Sequence, residues 1–177
     1  MTTPAAAPEP LVELAEFAEM TSEIEQTRLD QAIADIRGYC GWHIAPVFTE
    51  TVTLDGPGRS VLLLKSQRVI DVASVTENGR ELVEGTDYEW SEDGMLRRRC
   101  GWTDRYRGVV VEFTHGYDVV PAELVALVFD VATAAAAVPV GERREKIGPF
   151  ELGGATVEFE PHQYAILDRY RLRNGPA

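Results

Sequence analysis

Apolar residues along the chain change their period twice. From Ser22 to Gly41 they recur at helical spacing, with Ile24, Leu29, Ala32, Ile33, Ile36 and Tyr39 on one stripe. Ser22 stands where an N-cap belongs, Glu25 three residues on completes a capping box, and Gly41 is placed to end the helix. A shorter amphipathic stretch precedes it, with Leu11, Leu14, Phe17 and Ala18 at the same spacing. From Thr49 to His115 the period falls to two, in short β-branched runs separated by turn dipeptides. "FTETVTL" ends at "DGPG", "SVLLL" and "VIDVASVTE" follow, and Asn78-Gly79 is a hairpin signal. "EDG" at 92–94 joins "DYEWS" to "MLRRR", and Val109, Val111 and Phe113 alternate in the last run. Helical spacing then returns: Pro121 suits a first turn, and the apolar stretch behind it runs to Pro139.

The closing segment reads as a charged loop, a hairpin around Gly153 and Gly154, and a short amphipathic helix from Pro161 with a basic end. Together these elements predict an α+β fold. A small helical bundle, residues 21–140, carries one antiparallel β insertion at about 47–115. Residues 1–20 precede it as an acidic tail with a short helix, and residues 141–177 follow as a hairpin and helix.

Composition narrows the function classes. The chain has 177 residues, 45% of them apolar, enough for a sizeable core. Its net charge of −12 argues against sequence-independent binding to nucleic acid, which depends on basic side chains displacing counterions from phosphates. The N-terminus has no basic region followed by an apolar one, so no secretory signal is expected. The most apolar window, Leu124 to Val140, is broken by Asp130 and is too short to span a bilayer. A soluble, cytoplasmically made protein without a membrane contact is the expectation.

Candidate chemistry is sparse. The two cysteines lie in similar surroundings, "YCGW" at 39–42 and "CGW" at 100–102. With no signal peptide they are expected to stay reduced and to pack as small apolar groups. Cys40, His43 and Cys100 fall short of the paired ligands of a structural zinc site. His43, His115 and His162 belong to three different elements, and no spacing brings any of them to a thiol. "GPGRS" at 56–60 lies between strands and lacks the ending and the helix of a phosphate loop. No catalytic residue, metal or cofactor is therefore assigned, and the chain reads as a non-enzyme.

One segment, "RRRCGWTDRYRG" at 97–108, interleaves arginines with Trp102 and Tyr106. Such a mixture suits stacked bases, and it suits a protein interface equally well. The net charge of −12 favours the interface reading, in which these arginines pair with the acidic N-terminal helices of this or a neighbouring subunit, and the concentration of about eight acids against one base in residues 1–36 suggests two ends with different neighbours. The hairpin residues Pro149, Phe150, Leu152, Val157 and Phe159 are too few to build a core of their own and are expected to lie against another surface.

The order of "AIADIRGYCGWHIAP" at 32–46, "VIDVASVTENGRELVEGTDYEWSEDGMLRR" at 69–98 and "WTDRYRGVVVEFTHGYDVVPAELVALVFDVA" at 102–132 resembles the head-to-tail adaptor (head-tail connector, head completion) proteins of long-tailed bacteriophages, particularly those of actinobacteria. "IGPFELGG" and "ILDRYRL" resemble that family's closing segment, while the acidic residues 1–20 depart from its pattern. The resemblance implies a structural virion protein, assembled in the bacterial host cytoplasm as a twelvefold ring beneath the portal. The ring would link the portal to the stopper and tail after packaging, with DNA passing through the lumen without specific binding. It further implies portal docking through the C-terminal segment. There the candidates are Phe150, Leu152, Val157, Phe159, Tyr164, Leu167 and Tyr170, with Arg169, Arg171 and Arg173 as charged anchors. Arg97, Arg99, Arg105 and Arg107 are candidates for subunit or stopper contacts. A segment that orders on docking is expected to be mobile in the free chain from about residue 141 onward. Another connector component, a stopper or tail-completion protein, is the alternative, and a nucleic-acid-binding module working through residues 97–107 a more distant one.

Overall fold

Helix α1, Glu23–Cys40, opens the computed structural model, which describes residues 23–137 and 159–172. Seven strands follow: β1 Phe48–Leu54, β2 Val61–Leu63, β3 Val69–Glu77, β4 Arg80–Leu82, β5 Glu89–Trp90, β6 Met95–Arg97 and β7 Val109–His115. Helices α2, Ala122–Ala137, and α3, Pro161–Leu167, complete the α+β fold. The chain divides into two compact units. Gly41–Val119 makes the β unit, while residues 23–40, 120–137 and 159–171 make the helical one.

In the helical unit α1 packs against α2, and α3 touches both. The buried stripe of α1 is Leu29, Ala32, Ile33, Ile36 and Cys40, and α2 answers with Leu124, Leu127, Val128 and Val131. The expected stripe ended on Tyr39. A turn of 3.6 residues carries Ile36 to Cys40 instead, which leaves the Tyr39 ring half-buried beside the seam. Gly41 follows with φ of +81°, the left-handed conformation that a glycine adopts freely just past a helix. The carbonyl of Pro121 accepts from Leu124 N at 2.8 Å, so the proline sits immediately before α2. Ser22 and the hairpin expected around Gly153 and Gly154 lie outside the described residues.

The β region forms two antiparallel sheets where a single one was expected. The larger has the order β1-β7-β3-β4 and the smaller β2-β6-β5. Alternation fixes which face of a strand is buried and leaves its partner open, so the two short sheets had no separate signature. They share one core: Leu62, Leu64 and Leu96 meet Val69, Val72, Val75, Val109, Val111 and Phe113, and Trp102 closes over them. Asn78 (φ +52°) and Gly79 (φ +82°) make the tight turn between β3 and β4, with Glu77 opposite Arg80.

The residues that lead into and out of the β unit are tied together. Tyr117 N donates to Ile44 O at 2.8 Å, and Gly116 N donates to Arg68 O at 2.9 Å. A Cβ on Gly116 would lie 2.7 Å from Pro46 O and 2.8 Å from His43 Nε2, so only glycine allows the lead-in so close to β7.

Candidate assembly surfaces

Segments 55–60 and 97–107 run side by side at one end of the β unit, joined by four backbone bonds. Gly56 N donates to Arg105 O (2.9 Å), Gly58 N to Thr103 O (3.0 Å), Trp102 N to Arg59 O (2.9 Å) and Arg98 N to Ser60 O (2.8 Å). The approach is closest at Gly56, where a Cβ would stand 2.1 Å from Thr103 O. The Arg107 amide donates to Asp55 Oδ1 at 2.6 Å and holds the far end.

This ribbon sorts its arginines into two kinds. Arg98 is buried, its guanidinium hydrogen-bonded to Glu77 and 5.8 Å from the Trp102 ring. The other Glu77 oxygen accepts the Thr103 amide at 2.7 Å, so one carboxylate fastens the arginine segment to β3. Arg59, Arg97, Arg99, Arg105 and Arg107 are exposed, and none has an ion-pair partner among the described residues. Tyr106, 87% exposed, stands among them. A groove of about 240 Å³ lies between Arg105–Gly108 and the Asn78-Gly79 turn.

Sequence reasoning named Arg97, Arg99, Arg105 and Arg107 but missed Arg59, which only the backbone pairing brings to the group. It also left out the Glu77–Arg98 bridge. The available signal was the period of two in β6, which places Arg98 on the same inward side as Leu96.

The C-terminal candidates lie in different settings. Phe150, Leu152, Val157 and Arg173 fall outside the described residues. Phe159 and Leu167 are buried, and Tyr164 and Tyr170 are partly so. Tyr39, Phe159 and Tyr164 form an aromatic trio with centroids 5.3 to 6.1 Å apart. The Tyr39 hydroxyl donates to Asp168 Oδ1 at 2.6 Å, a bond that raises the phenol pKa, and the Arg171 guanidinium lies 5.2 Å from the same ring. Arg169 Nη1 meets Glu123 Oε2 at 3.0 Å, and the Tyr170 hydroxyl donates to the second oxygen of Glu123. Residues 159–171 are thus fastened to the end of α1 and the start of α2. For residues 159–171 this packing runs against the expected looseness, because these side chains cover apolar surface of their own unit, while residues 141–158 of that expectation lie outside the described residues.

The two "CGW" stretches are also distinct. Both thiols are free, Cys40 buried and Cys100 exposed. The exposed position of Cys100 corrects the reading of two packed thiols: it lies in the turn after β6, beyond the last inward residue. Burial pushes the Cys40 pKa up to about 12, with Asp168 adding to the rise and Arg171 opposing it. Its Sγ lies 3.8 Å from Leu167 O, so it is a packed thiol rather than a nucleophile.

Trp42 stacks on His115 at 6.5 Å, and the His43 and His115 rings lie 4.3 Å apart. That pairing had no sequence signal. It arises because the lead-in after α1 crosses the end of β7. His115 is buried, with Nε2 3.0 Å from Glu50 Oε1 but out of line for a hydrogen bond. His43 Nε2 faces Pro46 O at 2.8 Å. No group of three ligating side chains is placed to hold a metal among the described residues, and no helix there is long and apolar enough to cross a membrane.

No protein-family model and no curated protein matches this chain. Solved structures do. One chain from the neck of a native GTA particle, computed with C12 symmetry, matches with a TM-score of 0.63 and 17% identity, over 99% of this chain and 98% of that one. A neck chain of the empty GTA particle, computed with C6 symmetry, matches with a TM-score of 0.61 and 17% identity over the same shares. A chain from the virion of the native gene transfer agent particle gives 0.61 and 18% identity, over 97% and 96%. At these identities the likeness is one of fold, and it runs through nearly the full length of both chains.

Proposed function

We propose that this chain is a structural component of the neck of a phage-like particle. Its specific role is that of a head-to-tail adaptor, which forms a ring below the portal and links it to the stopper and tail. The likeness over 97–99% of the chain to neck and virion chains of a particle carries this reading, because it spans both the helical and the β parts together. Neck structures computed with C12 and C6 symmetry support a ring of copies. The net charge of −12 fits a channel through which DNA passes without adhering.

Docking to the portal is assigned to Phe150, Leu152, Val157 and Arg173 together with the exposed Arg169 and Arg171, while Phe159, Tyr164, Leu167 and Tyr170, which pack within the helical unit, are left out of it. Subunit or stopper contacts are assigned to the exposed arginines. Imaging of the chain mixed with its portal by negative stain tests the reading. A ring on the narrow end of the portal is expected. Binding to tail components alone would make the chain a stopper or tail-completion protein, and no binding to either would overturn a connector role.

A further inference from the structure

The exposed arginines of the ribbon are anomalous in this chain. Segments 55–60 and 97–107 together hold six arginines against two aspartates, while the whole chain carries −12. Arg98 is the only one of the six neutralised by an ion pair among the described residues. Exposed guanidiniums around an exposed tyrosine have the composition of an interface that awaits a partner.

The same sequence supplies a complementary element. Residues 1–27 contain six glutamates and no lysine, arginine or histidine. A ring of more than two copies needs a heterologous contact, in which each copy presents two different, matching surfaces. A basic ribbon and an acidic stretch on one chain meet that need, and like-charge contacts penalise the wrong pairing.

We propose that the exposed arginines, Arg59, Arg97, Arg99, Arg105 and Arg107, receive the glutamate-rich stretch at residues 9–25 of a second copy. The inference rests on the ring reading above and names its contact. The contact pairs these arginines with the carboxylates of Glu13, Glu16 and Glu19. Association through this contact weakens as salt rises.

The test uses full-length chain at high concentration, with and without portal, as a mixture of ordinary and nitrogen-15-labelled copies. Arg105→Lys with Arg107→Lys keeps the charge and allows zero-length carbodiimide coupling to carboxylates. Mass spectrometry is expected to find mixed-isotope cross-links from positions 105 or 107 to Glu13, Glu16 or Glu19, lost at high salt. In a second arm, on the natural sequence, Arg105→Glu with Arg107→Glu abolishes self-association, and Glu13→Arg with Glu16→Arg restores it in the combined variant.

Cross-links confined to one copy, cross-links only to other carboxylates, or none in either condition overturn the inference. So does a salt-sensitive shift of duplex DNA that the reversed arginines abolish, which would assign the ribbon to nucleic acid. A ring seen on the portal without these cross-links sinks this contact and leaves the adaptor reading standing. Cross-links without portal binding do the reverse.

Discussion

Glu77 holds Arg98 inside the β unit, with both side chains about nine-tenths buried. Removing one partner of a buried pair leaves the other charge stranded, at a cost of about 3–5 kcal/mol. Glu77→Ala is expected to destabilise on that scale, and Glu77→Ala with Arg98→Met to recover most of the loss. Denaturant titration of the two variants checks this, and equal stability in both would remove the bridge from the account.

Gly56 and Gly38 are expected to respond in opposite directions. An alanine at Gly56 drives its Cβ against Thr103 O at 2.1 Å, so the ribbon must part, at about 1–3 kcal/mol. Gly38 lies in α1 with nothing within 4 Å of a Cβ. Gly38→Ala is therefore expected to stabilise by about 0.5–1 kcal/mol through helix propensity. Thermal unfolding of both variants reads the contrast.

The thiols are expected to titrate one at a time with a colorimetric disulfide reagent. Cys100 reacts in the native chain, and Cys40 only after unfolding. The pH dependence follows from the raised Cys40 pKa. Below its ordinary value of 9.0 the thiol is protonated in both states. Between there and about 12 only the unfolded state releases the proton. Stability thus falls as pH rises through that window, and Cys40→Ala flattens the fall.

Trp42 is buried against His115 and Tyr117, where the lead-in meets β7. Trp42→Ala is expected to cost roughly 3–5 kcal/mol. Guanidinium unfolding measures it, and a loss below about 1 kcal/mol would mean that the lead-in is not anchored through this ring.

Anchoring of residues 159–171 changes what a C-terminal truncation reports. Leu167 is fully buried, so Leu167→Ala is expected to cost about 2–5 kcal/mol. Deleting residues 148–177 removes that buried side chain along with the docking segment, so the deletion is expected to destabilise the helical unit as well. Phe150→Ala with Leu152→Ala and Val157→Ala is the cleaner probe of portal docking. Unchanged circular dichroism with lost portal binding in a pull-down is expected, and retained binding would move the docking surface elsewhere.

Strand positions were legible in the sequence because burial on one face writes a period of two: β1 and β3 match their predicted runs from end to end. From Leu29 to Ile36 the α1 stripe was legible for the same reason at 3.6 residues, its last step going to Cys40 rather than Tyr39. Pairing was not legible. That Arg59 pairs with Trp102, that Glu77 reaches Arg98, and that His43 meets His115 all depend on contacts between residues far apart in sequence. Periodicity carries no information about such contacts.

The bond between Tyr117 N and Ile44 O bears on the order of events during synthesis. Helix α1 leaves the ribosome long before its partner α2, with roughly seventy residues between the two tied positions. Pairing the helices across an unstructured loop of that length carries a closure penalty that grows with the logarithm of the loop. The β unit is one continuous stretch and can fold as soon as β7 emerges. Once it has, positions 44 and 117 are already within hydrogen-bond distance, and only the few residues outside them remain to be closed. The folded insertion thus shortens the effective loop that the two halves of the helical core have to close.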